Sequence, residues 1–531
     1  MDPAAYVALP RIVLDNGSGS LKFSMASSNK PPTILPNCIG QPKRKFTNQS
    51  FHEGSSNVAS DDHVDAIGDG CYNLSEYFCL RPFSDALLYE PARQRTIWKK
   101  VMGNPHLLIN GTPANLLGVN PATTAICITE PNMCPSMCRQ TMAEMIFEDL
   151  GFSMAAIITS QAASNWYYTN AVKQAAQDHG TKHAGVSPDL VLNTLSDSGF
   201  TSGGNRKLPT TQSCLVVDCG FGAMHCVPFV EGRPIQRAAL RSSLGGYHLN
   251  AYMKNISAIR TINLEFNELL VQHMKEEVCY VSSDFDLEMM AASTLRTVRG
   301  HTVLQQSYKI PIYTAKNKSQ IHRHFNTHGP MAEPLLTDAR RTVVEKLAKN
   351  EQLDETDMSL LGVQLEADEA GSHNSGGESA RSKENDEVPT TEDHPKDDKK
   401  NANQVVTLTT ERFAVPEILF SPQDLHIREC GITELVHRTI ALSPPCIQKQ
   451  LASNILLTGG STKFYGFPER LHMELRKLLP AEWDLQIHFG PDRGLTAFHG
   501  ARLFARDDTV FLENAVTRNY YLEHGGIYPR R

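Results

Sequence analysis

The sequence predicts an α/β protein made of two similar lobes. The chain has 531 residues, which is too long for one ordinary hydrophobic core. Strand-like apolar runs alternate with helical patterns in both halves, as they do in α/β proteins. Each half also opens with the same local pattern: a strand that ends at an aspartate, a Gly-x-Gly turn and a second strand, over residues 11–25 and 214–229. A pattern that occurs twice indicates an internal duplication.

The order of the elements suggests where the lobes begin and end. The strand-like runs are 11–15, 19–25, 32–36, 125–129, 155–159, 214–218, 223–229 and 455–458. The helical patterns are 91–102, 135–150, 161–175, 246–258, 263–278, 429–441 and 465–478. We therefore expect a first lobe over 1–178, a polar insertion over 179–212, a second lobe over 213–350, an acidic insertion over 351–403, and a C-terminal part over 404–531 that completes the second lobe and returns to the first.

Most of the charge imbalance lies in one segment. Residues 351–403 hold fifteen acidic and five basic residues and no aromatic residue. This segment therefore has a net charge of −10, whereas the whole chain has a net charge of −7. Such a composition buries too little apolar surface to offset the entropy lost on ordering, and we expect a solvated, disordered loop. The alternative is an acidic arm that binds histones or another basic partner. The other residues carry only +3, which argues against intrinsic nucleic-acid binding.

Cysteine usage and hydropathy predict a reducing compartment, the cytosol or the nucleus. No apolar run is long enough to span a bilayer, and the N-terminus lacks the features of a signal peptide. The twelve cysteines are scattered, many of them in apolar runs, and we expect reduced core residues. Cys127, Cys134 and Cys138 lie close together, but no CxxC pair or nearby histidine completes a zinc site.

The repeated hairpin has a chemical rationale as a phosphate clamp. Glycine lets the backbone approach a phosphate closely, and successive amides in a tight turn form an anion-binding nest. Two such hairpins that face each other grip a triphosphate, with Asp15 and Asp218 directed at its Mg²⁺ through water. Either hairpin alone is most often an ordinary turn. A third glycine turn, within 456–467, closes a strand and opens a helix, which suits the sugar or phosphate end of a nucleotide.

At these three stretches the sequence resembles the actin family. The motifs are LDNGSGSLK (14–22), VVDCGFGAMHCVPFVEG (216–232) and LLTGGSTKFYGFPERL (456–471). The resemblance implies an actin-like ATPase fold, with duplicated ribonuclease-H-like α/β lobes around a nucleotide cleft, and ATP or ADP with Mg as cofactor. Asp15 and Asp218 would face the metal. The cofactor-binding residues that it implies are Asp15, Gly17, Ser18, Gly19, Ser20, Lys22, Asp218, Gly220, Phe221, Gly222, Lys275, Glu276, Gly459, Gly460, Ser461 and Phe464.

Three positions depart from the actin pattern. Where actin has a second aspartate in the second phosphate loop this chain has Phe221, and where actin has a basic residue beside the adenine it has Gly494. The glutamine that positions the attacking water in actin aligns with Thr159 or Ser160, which leaves Gln161 one or two positions late. A water-positioning group acts only within hydrogen-bond reach of the water. The alignment therefore predicts that ATP is held but poorly hydrolysed, and it assigns no catalytic residue.

Within the actin family the chain is similar to a nuclear class of actin-related proteins. The segments that fit this class include ERFAVPEILFSPQDLHIRECGI (411–432) and DDTVFLENAVTRNYYLEHG (507–525). The resemblance implies a structural subunit of a nuclear ATP-dependent chromatin-remodelling complex that exchanges a variant histone. It implies a helicase-type motor and a small zinc-finger protein as partners, with indirect contact to histones or the nucleosome and none to a membrane. The bulky acidic insertion predicts that the chain does not form filaments.

Other functions of the same superfamily stay open. The main alternative is a cytoplasmic or cytoskeletal actin-related ATPase, which would turn over nucleotide. Sugar kinases and Hsp70 chaperones share the fold. A kinase needs a sugar-binding acid in the cleft, and the sequence does not identify one. A chaperone needs a C-terminal peptide-binding domain, whereas the C-terminal part of this sequence carries actin-like motifs.

Overall fold

The computed structural model describes the chain in segments. They are residues 7–42, 67–72, 77–103, 108–109, 112–113, 116–178, 191–201, 213–260, 268–294, 306–310, 338–349, 351–354, 356–357 and 405–526. The chain divides into two compact units. The first comprises Met1–Phe285, Tyr313–Pro334 and Glu411–Arg531, and the second comprises Asp286–Ile312 and Leu335–Thr410. Both large sheets belong to the first unit, whereas residues 286–312 and 335–350 of the predicted second lobe belong to the second unit.

The first sheet has six strands, numbered in chain order. From one edge to the other they are β22 (Val516–Thr517), β11 (Met154–Thr159), β10 (Ala125–Glu130), β1 (Arg11–Asn16), β2 (Ser20–Met25) and β3 (Thr33–Pro36). The central strands β11, β10 and β1 are parallel, and β2 turns back antiparallel to β1. All six residues of β1 are buried, and its apolar residues Ile12, Val13 and Leu14 form the short apolar run seen in the sequence.

The second sheet repeats this arrangement. Its strands, in order, are β13 (Gly199–Thr201), β12 (Asn193–Ser196), β21 (Gln486–Phe489), β20 (Ile455–Thr458), β14 (Ser213–Cys219), β15 (Met224–Val230) and β16 (Arg233–Pro234), with β17 (Leu240–Ser242) also paired to β15. Here β21, β20 and β14 are parallel, and β15 turns back from β14. Each sheet therefore contains three parallel strands followed by a hairpin, and the predicted duplication is confirmed.

Three short strands, β12, β13 and β22, bear on the predicted domain plan. The range 179–212 is not an insertion throughout, because β12 and β13 lie inside it and extend the second sheet. Leu195 of β12 is buried and pairs with Ile487 of β21, so this short strand covers the edge of the core. The rest of the range lies outside the described residues. At the other end of the chain, β22 pairs antiparallel with β11, so the C-terminal part returns to the first lobe as predicted.

The described residues contain fourteen α-helices. They are α1 (Pro91–Met102), α2 (Ser136–Glu144), α3 (Ser160–Asp178), α4 (Gly246–Arg260), α5 (Glu268–Val278), α6 (Phe285–Thr294), α7 (Asp338–Ala348), α8 (Glu411–Glu417), α9 (Ile432–Leu442), α10 (Pro445–Ala452), α11 (Phe467–Leu478), α12 (Thr496–Arg506), α13 (Asp508–Asn514) and α14 (Arg518–His524). All seven predicted helical patterns coincide with helices. The strand pairs outside the large sheets are β4 (Ile39–Pro42) with β5 (Tyr77–Leu80), β6 (Phe83–Ser84) with β7 (Leu87–Leu88), β8 (Leu108–Ile109) with β9 (Thr112–Pro113), and β18 (Gln306–Lys309) with β19 (Val405–Leu408).

Helices α3 and α12 follow equivalent strands of the two sheets, β11 and β21, and they pack against each other. The contact is close at Gly500, where an added Cβ would lie 1.8 Å from the carbonyl oxygen of Ala163. Buried aromatic side chains, among them Tyr167 and Phe498, surround the crossing. The start of α3 is therefore held rigidly at the end of β11.

The second unit contains α7, most of α6 and the β18–β19 pair. Ala291, Val343 and Val344 form a small apolar cluster, and Leu353 packs against it. Lys346 Nζ lies 2.8 Å from Asp357 Oδ2. The segment 351–403 was predicted to be disordered throughout, and this is wrong for its first residues, because Leu353 and Asp357 have packing and ion-pair partners. Residues 358–403 of the prediction lie outside the described residues.

Two further features bear on the sequence-based expectations. Within the described ranges, no helix has both the length and the apolar character that a membrane crossing needs. The same residues contain no group of three or more His, Cys, Asp or Glu side chains arranged to hold a metal ion. All twelve cysteines lie in the described ranges, and none of them forms a disulfide bond.

Candidate nucleotide site

The first hairpin holds Asp15 in a defined orientation. Asp15 lies opposite Lys22 in the β1–β2 pair, and its Oδ2 accepts a hydrogen bond from Lys22 Nζ at 2.7 Å. Its Oδ1 accepts a hydrogen bond from Thr129 Oγ1, also at 2.7 Å, and the backbone N–H of Asn16 donates to the same hydroxyl. Both carboxylate oxygens are therefore directed by groups from the strands of the first sheet.

The second hairpin places Asp218 near Asp15. Burial and the negative charge of Asp15 raise the pKa of Asp218 to about 6, against the lowering effect of Lys22 and of two side-chain hydrogen bonds. The two carboxylates therefore sense each other's charge, although they come from different sheets. A cation between them would relieve this repulsion, which fits the predicted role of both residues beside a metal.

Gln161 reaches Asp218, and its predicted displacement is wrong. Helix α3 begins at Ser160, directly after β11, so Gln161 lies in the first turn at the carboxyl end of a parallel strand. Its Nε2 donates to Asp218 Oδ2 at 2.8 Å, and its Oε1 accepts a hydrogen bond from the backbone N–H of Asn132 at 2.9 Å. The start of the helix, and not the count of residues along the strand, sets where this side chain points. The position of Gln161 therefore does not argue against hydrolysis.

The third glycine turn packs directly on the second hairpin. Gly459 has φ +98°, and an added Cβ would lie 2.3 Å from the carbonyl oxygen of Cys219, so only glycine permits this approach. Ser461 Oγ donates to the carbonyl oxygen of Gly220 at 3.0 Å. The parallel strands β14 and β20 end side by side, which brings both turns to one edge of the second sheet.

The third glycine turn is open at Gly460 and closer-packed at Gly494. A Cβ added at Gly460 meets no atom within 4 Å, whereas one added at Gly494 lies 3.2 Å from Asp492 Oδ1 and 3.9 Å from the Gly460 Cα. The carbonyl oxygen of Arg493 accepts hydrogen bonds from the backbone N–H of Gly459 and from Thr458 Oγ1, each at 3.0 Å. Phe464, a predicted binding residue, is buried. The open position at Gly460 leaves room for a flat ligand.

Lys275 and Glu276 lie on α5 with partners from the protein itself. Lys275 Nζ donates to the carbonyl oxygen of Gly246 at 3.0 Å, and burial lowers the pKa of this lysine to about 8. Gln272 Nε2 donates to Glu276 Oε1 at 2.9 Å. Both predicted binding residues therefore have protein partners.

The side chain of Phe221 occupies the region between the two hairpins. A Cβ added at Gly19 would lie 2.8 Å from both Cβ and Cγ of Phe221, and one added at Gly246 would lie 3.1 Å from its Cδ2. Because a Cα–Cβ bond measures about 1.5 Å, the Gly19 Cα lies within about 4.3 Å of the Phe221 Cβ. A phosphate between them needs about 3.5 Å on each side. A phosphate group therefore does not fit between Gly19 and Phe221.

The other loop residues also lie close to one another. A Cβ added at Gly222 would lie 2.4 Å from the backbone nitrogen of Ala86 and 2.9 Å from Ser18 Oγ. One added at Gly17 would lie 2.7 Å from the carbonyl oxygen of Ser20. The first and second hairpins thus meet through their turns, as the sequence predicts, but with little space left between them.

Sequence reasoning missed the residues that join the two hairpins. Arg81 lies between β5 and β6 and donates from Nη1 to the carbonyl oxygen of Gly19 at 2.7 Å. Thr129 and Gly246 likewise contact predicted site residues. None of the three belongs to a recognisable motif, so no local signal identified them.

The fold and this site define the class of protein. Two duplicated α/β lobes, each with an aspartate hairpin at the end of its parallel strands, constitute the actin-like ATPase fold. The family model for Actin matches residues 8–268 and 262–529, which is nearly the whole chain. The chain belongs to the actin family.

Several relatives match over almost their full length, and each is named Actin-related protein 6. The protein from Arabidopsis thaliana is 28% identical over 520 residues, covering 98% of this chain and 98% of the relative. The one from Dictyostelium discoideum is 26% identical over 525 residues, covering 97% and 93%. The one from Drosophila melanogaster is 24% identical over 525 residues, covering 98% and 99%. The chain is therefore similar to actin-related proteins from plants, amoebae and animals.

Actin-family proteins generally bind a nucleotide with Mg, and the residues of this chain fit such a group only in part. The open position at Gly460 fits an adenosine, and the paired aspartates fit a nearby cation. The contact between Gly19 and Phe221 does not fit phosphates held between the hairpins. We therefore derive no chemical step through a nucleotide for this chain.

Proposed function

We propose that this chain is a structural subunit of a nuclear ATP-dependent chromatin-remodelling complex that exchanges a variant histone. The observation that carries the proposal is Phe221. The apolar Phe221 ring lies between the hairpins, at the position where actin has a polar group beside the phosphates. This ring favours a structural subunit over an enzyme that turns over nucleotide. The likeness to relatives named Actin-related protein 6 supports the same class.

The proposed partners follow from that class. They are a helicase-type motor and a small zinc-finger protein, with indirect contact to histones or the nucleosome. In this role one copy of the chain is part of the nuclear complex, and the chain neither forms filaments nor binds a membrane. The acidic character of residues 351–403 supports this view, since a charged arm obstructs a regularly repeating surface. We assign ATP or ADP no chemical role in the proposed function.

The second candidate is a cytoplasmic or cytoskeletal actin-related ATPase, and Gln161 favours it. Its side-chain amide donates to Asp218, so a group able to orient water lies beside a metal-facing carboxylate. This candidate requires phosphate between the hairpins, and therefore a displacement of Phe221. The two candidates differ in partners and in turnover.

Purification of the tagged full chain from nuclear and cytoplasmic extracts, followed by mass spectrometry, tests the proposal. We expect a helicase-type motor, a zinc-finger subunit and histones in the nuclear sample at near-stoichiometric amounts. Tagged conventional actin, handled in parallel, controls for adventitious binding to an actin-like surface. Recovery of the chain with cytoskeletal proteins in the cytoplasmic sample alone would overturn the proposal in favour of the second candidate.

A further inference from the structure

Arg81 joins segments that lie far apart in the sequence. Its Nη1 donates to the carbonyl oxygen of Gly19 in the first hairpin at 2.7 Å. Its Nε donates to Glu268 Oε1 at 2.5 Å, and its Nη2 donates to Gln272 Oε1 at 2.9 Å. Glu268 and Gln272 both lie on α5. The Arg81 side chain is only 5% exposed, so these contacts are made almost without water.

Phe221 completes the same contact from the second hairpin. The Arg81 guanidinium lies over the Phe221 ring, with its Cζ 4.3 Å from the ring centroid. Tyr247 meets the ring edge-on at a centroid distance of 6.3 Å, and Lys275 Nζ lies 6.0 Å from the centroid. A guanidinium over a largely desolvated aromatic face makes a favourable cation–π interaction.

Arg81 therefore bridges the first hairpin, the second hairpin and α5 through its own charge and hydrogen bonds. It satisfies a backbone carbonyl of one hairpin and a carboxylate on α5, and it stacks on a ring of the other hairpin. The Phe221 ring fills the space between the two hairpins, and the Arg81 guanidinium supplies the hydrogen bonds. All of these atoms are the protein's own.

We propose that Arg81 and Phe221 form an intramolecular clasp that holds the two hairpins together in place of a nucleotide. The clasp consists of Arg81, Phe221, Gly19, Glu268 and Gln272. The clasp holds the two hairpins together whether or not ATP is present. The surface that the chain presents to partner subunits therefore does not vary with the nucleotide concentration. The inference concerns the isolated chain and does not depend on the complex proposed above, so each can fail without the other.

Thermal unfolding of the purified full chain, with and without millimolar Mg-ATP, is the first test. A site of micromolar Kd would raise the Tm by a degree or more, since a ligand at about 1,000 times its Kd contributes about 4.1 kcal/mol. We expect no rise, and no saturable signal from a fluorescent etheno-adenine analogue of ATP. A Tm rise with Mg-ATP, or micromolar binding of the analogue, would overturn the inference.

Substitutions at the clasp form the second test. Arg81→Ala should lower the Tm without nucleotide by about 3 °C or more, because it leaves the partly buried Glu268 carboxylate without its cation. Arg95→Ala is the matched control, because Arg95 also pairs with a carboxylate, Asp149, but is 40% exposed. A Tm loss for Arg81→Ala no larger than that of the control would refute the clasp.

Phe221→Asp tests the ring itself. The change removes the ring and restores the residue type that stands there in actin, so we expect Mg-ATP to raise the Tm of this variant but not of the wild type. Phe221→Ala serves as the second variant if the aspartate prevents folding. If both variants fold and neither responds to Mg-ATP, the ring is not what excludes the nucleotide, and the proposal is wrong.

Discussion

Substitution of Gly500 by alanine gives a sharp test of how α12 packs on α3. An added Cβ would lie 1.8 Å from the carbonyl oxygen of Ala163 and 2.5 Å from its carbonyl carbon, whereas ordinary contact begins at 3.4 Å. The backbone of one helix must therefore move by about 1.6 Å, because a carbonyl group cannot rotate away as a side chain can.

The sign of the effect separates packing from helix propensity. Alanine is a better helix former than glycine by about 1 kcal/mol, so propensity alone predicts stabilisation. Overpacking of a close-packed core typically costs about 1–3 kcal/mol, and a clash with backbone lies at the upper end or beyond. We therefore expect Gly500→Ala to lower the free energy of unfolding by about 2 kcal/mol.

Urea denaturation followed by circular dichroism measures this difference. Gly460→Ala is the matched control, since the same added methyl group there meets no atom within 4 Å. We expect the control to unfold at nearly the wild-type urea concentration. A Gly500→Ala variant as stable as wild type, or more stable, would refute the close crossing and with it the rigid placement of Gln161.

Three further predictions concern pH, the acidic segment and turnover. Burial and the nearby charge of Arg241 lower the pKa of His225 from 6.5 to about 3. As the pH falls below 6.5, His225 takes up a proton in the unfolded chain but not in the folded chain. The free energy of unfolding therefore falls by about 1.4 kcal/mol between pH 7.5 and 5.5. His225→Gln should show a smaller fall in Tm over this interval, and an equal fall would contradict the prediction. Deletion of residues 361–403 should leave the Tm nearly unchanged, whereas deletion of 351–403 should lower it. The longer deletion also removes Leu353 from its apolar cluster and Asp357 from its ion pair with Lys346. Identical melting curves for the two deletions would show that these contacts contribute nothing. Purified chain with Mg-ATP should release phosphate far more slowly than filamentous actin and should not sediment as polymer, and turnover at the actin rate would favour the cytoskeletal candidate.

Much of the fold was predictable because its central elements are buried on both faces or have a clear helical period. The strands β1 and β14 each contain a short apolar run that ends at an aspartate, and the glycine turns after them mark the hairpins. The short strand β12 was assigned to a polar insertion, since four residues in a polar stretch carry too weak a pattern. Gln161 was placed out of register because alignment counts residues, whereas the hydrogen bond to Asp218 depends on where α3 begins.

The sequence by itself determined the duplicated α/β plan, the two aspartate hairpins and the actin resemblance, because these features are written in short contiguous segments. Only the tertiary structure decided what lies between the hairpins. Arg81 and Glu268 are 187 positions apart, and Phe221 contacts a glycine on the other side of the site. Such contacts depend on how the two sheets are brought together, and the energy of packing a ring or pairing a buried charge has no local sequence pattern.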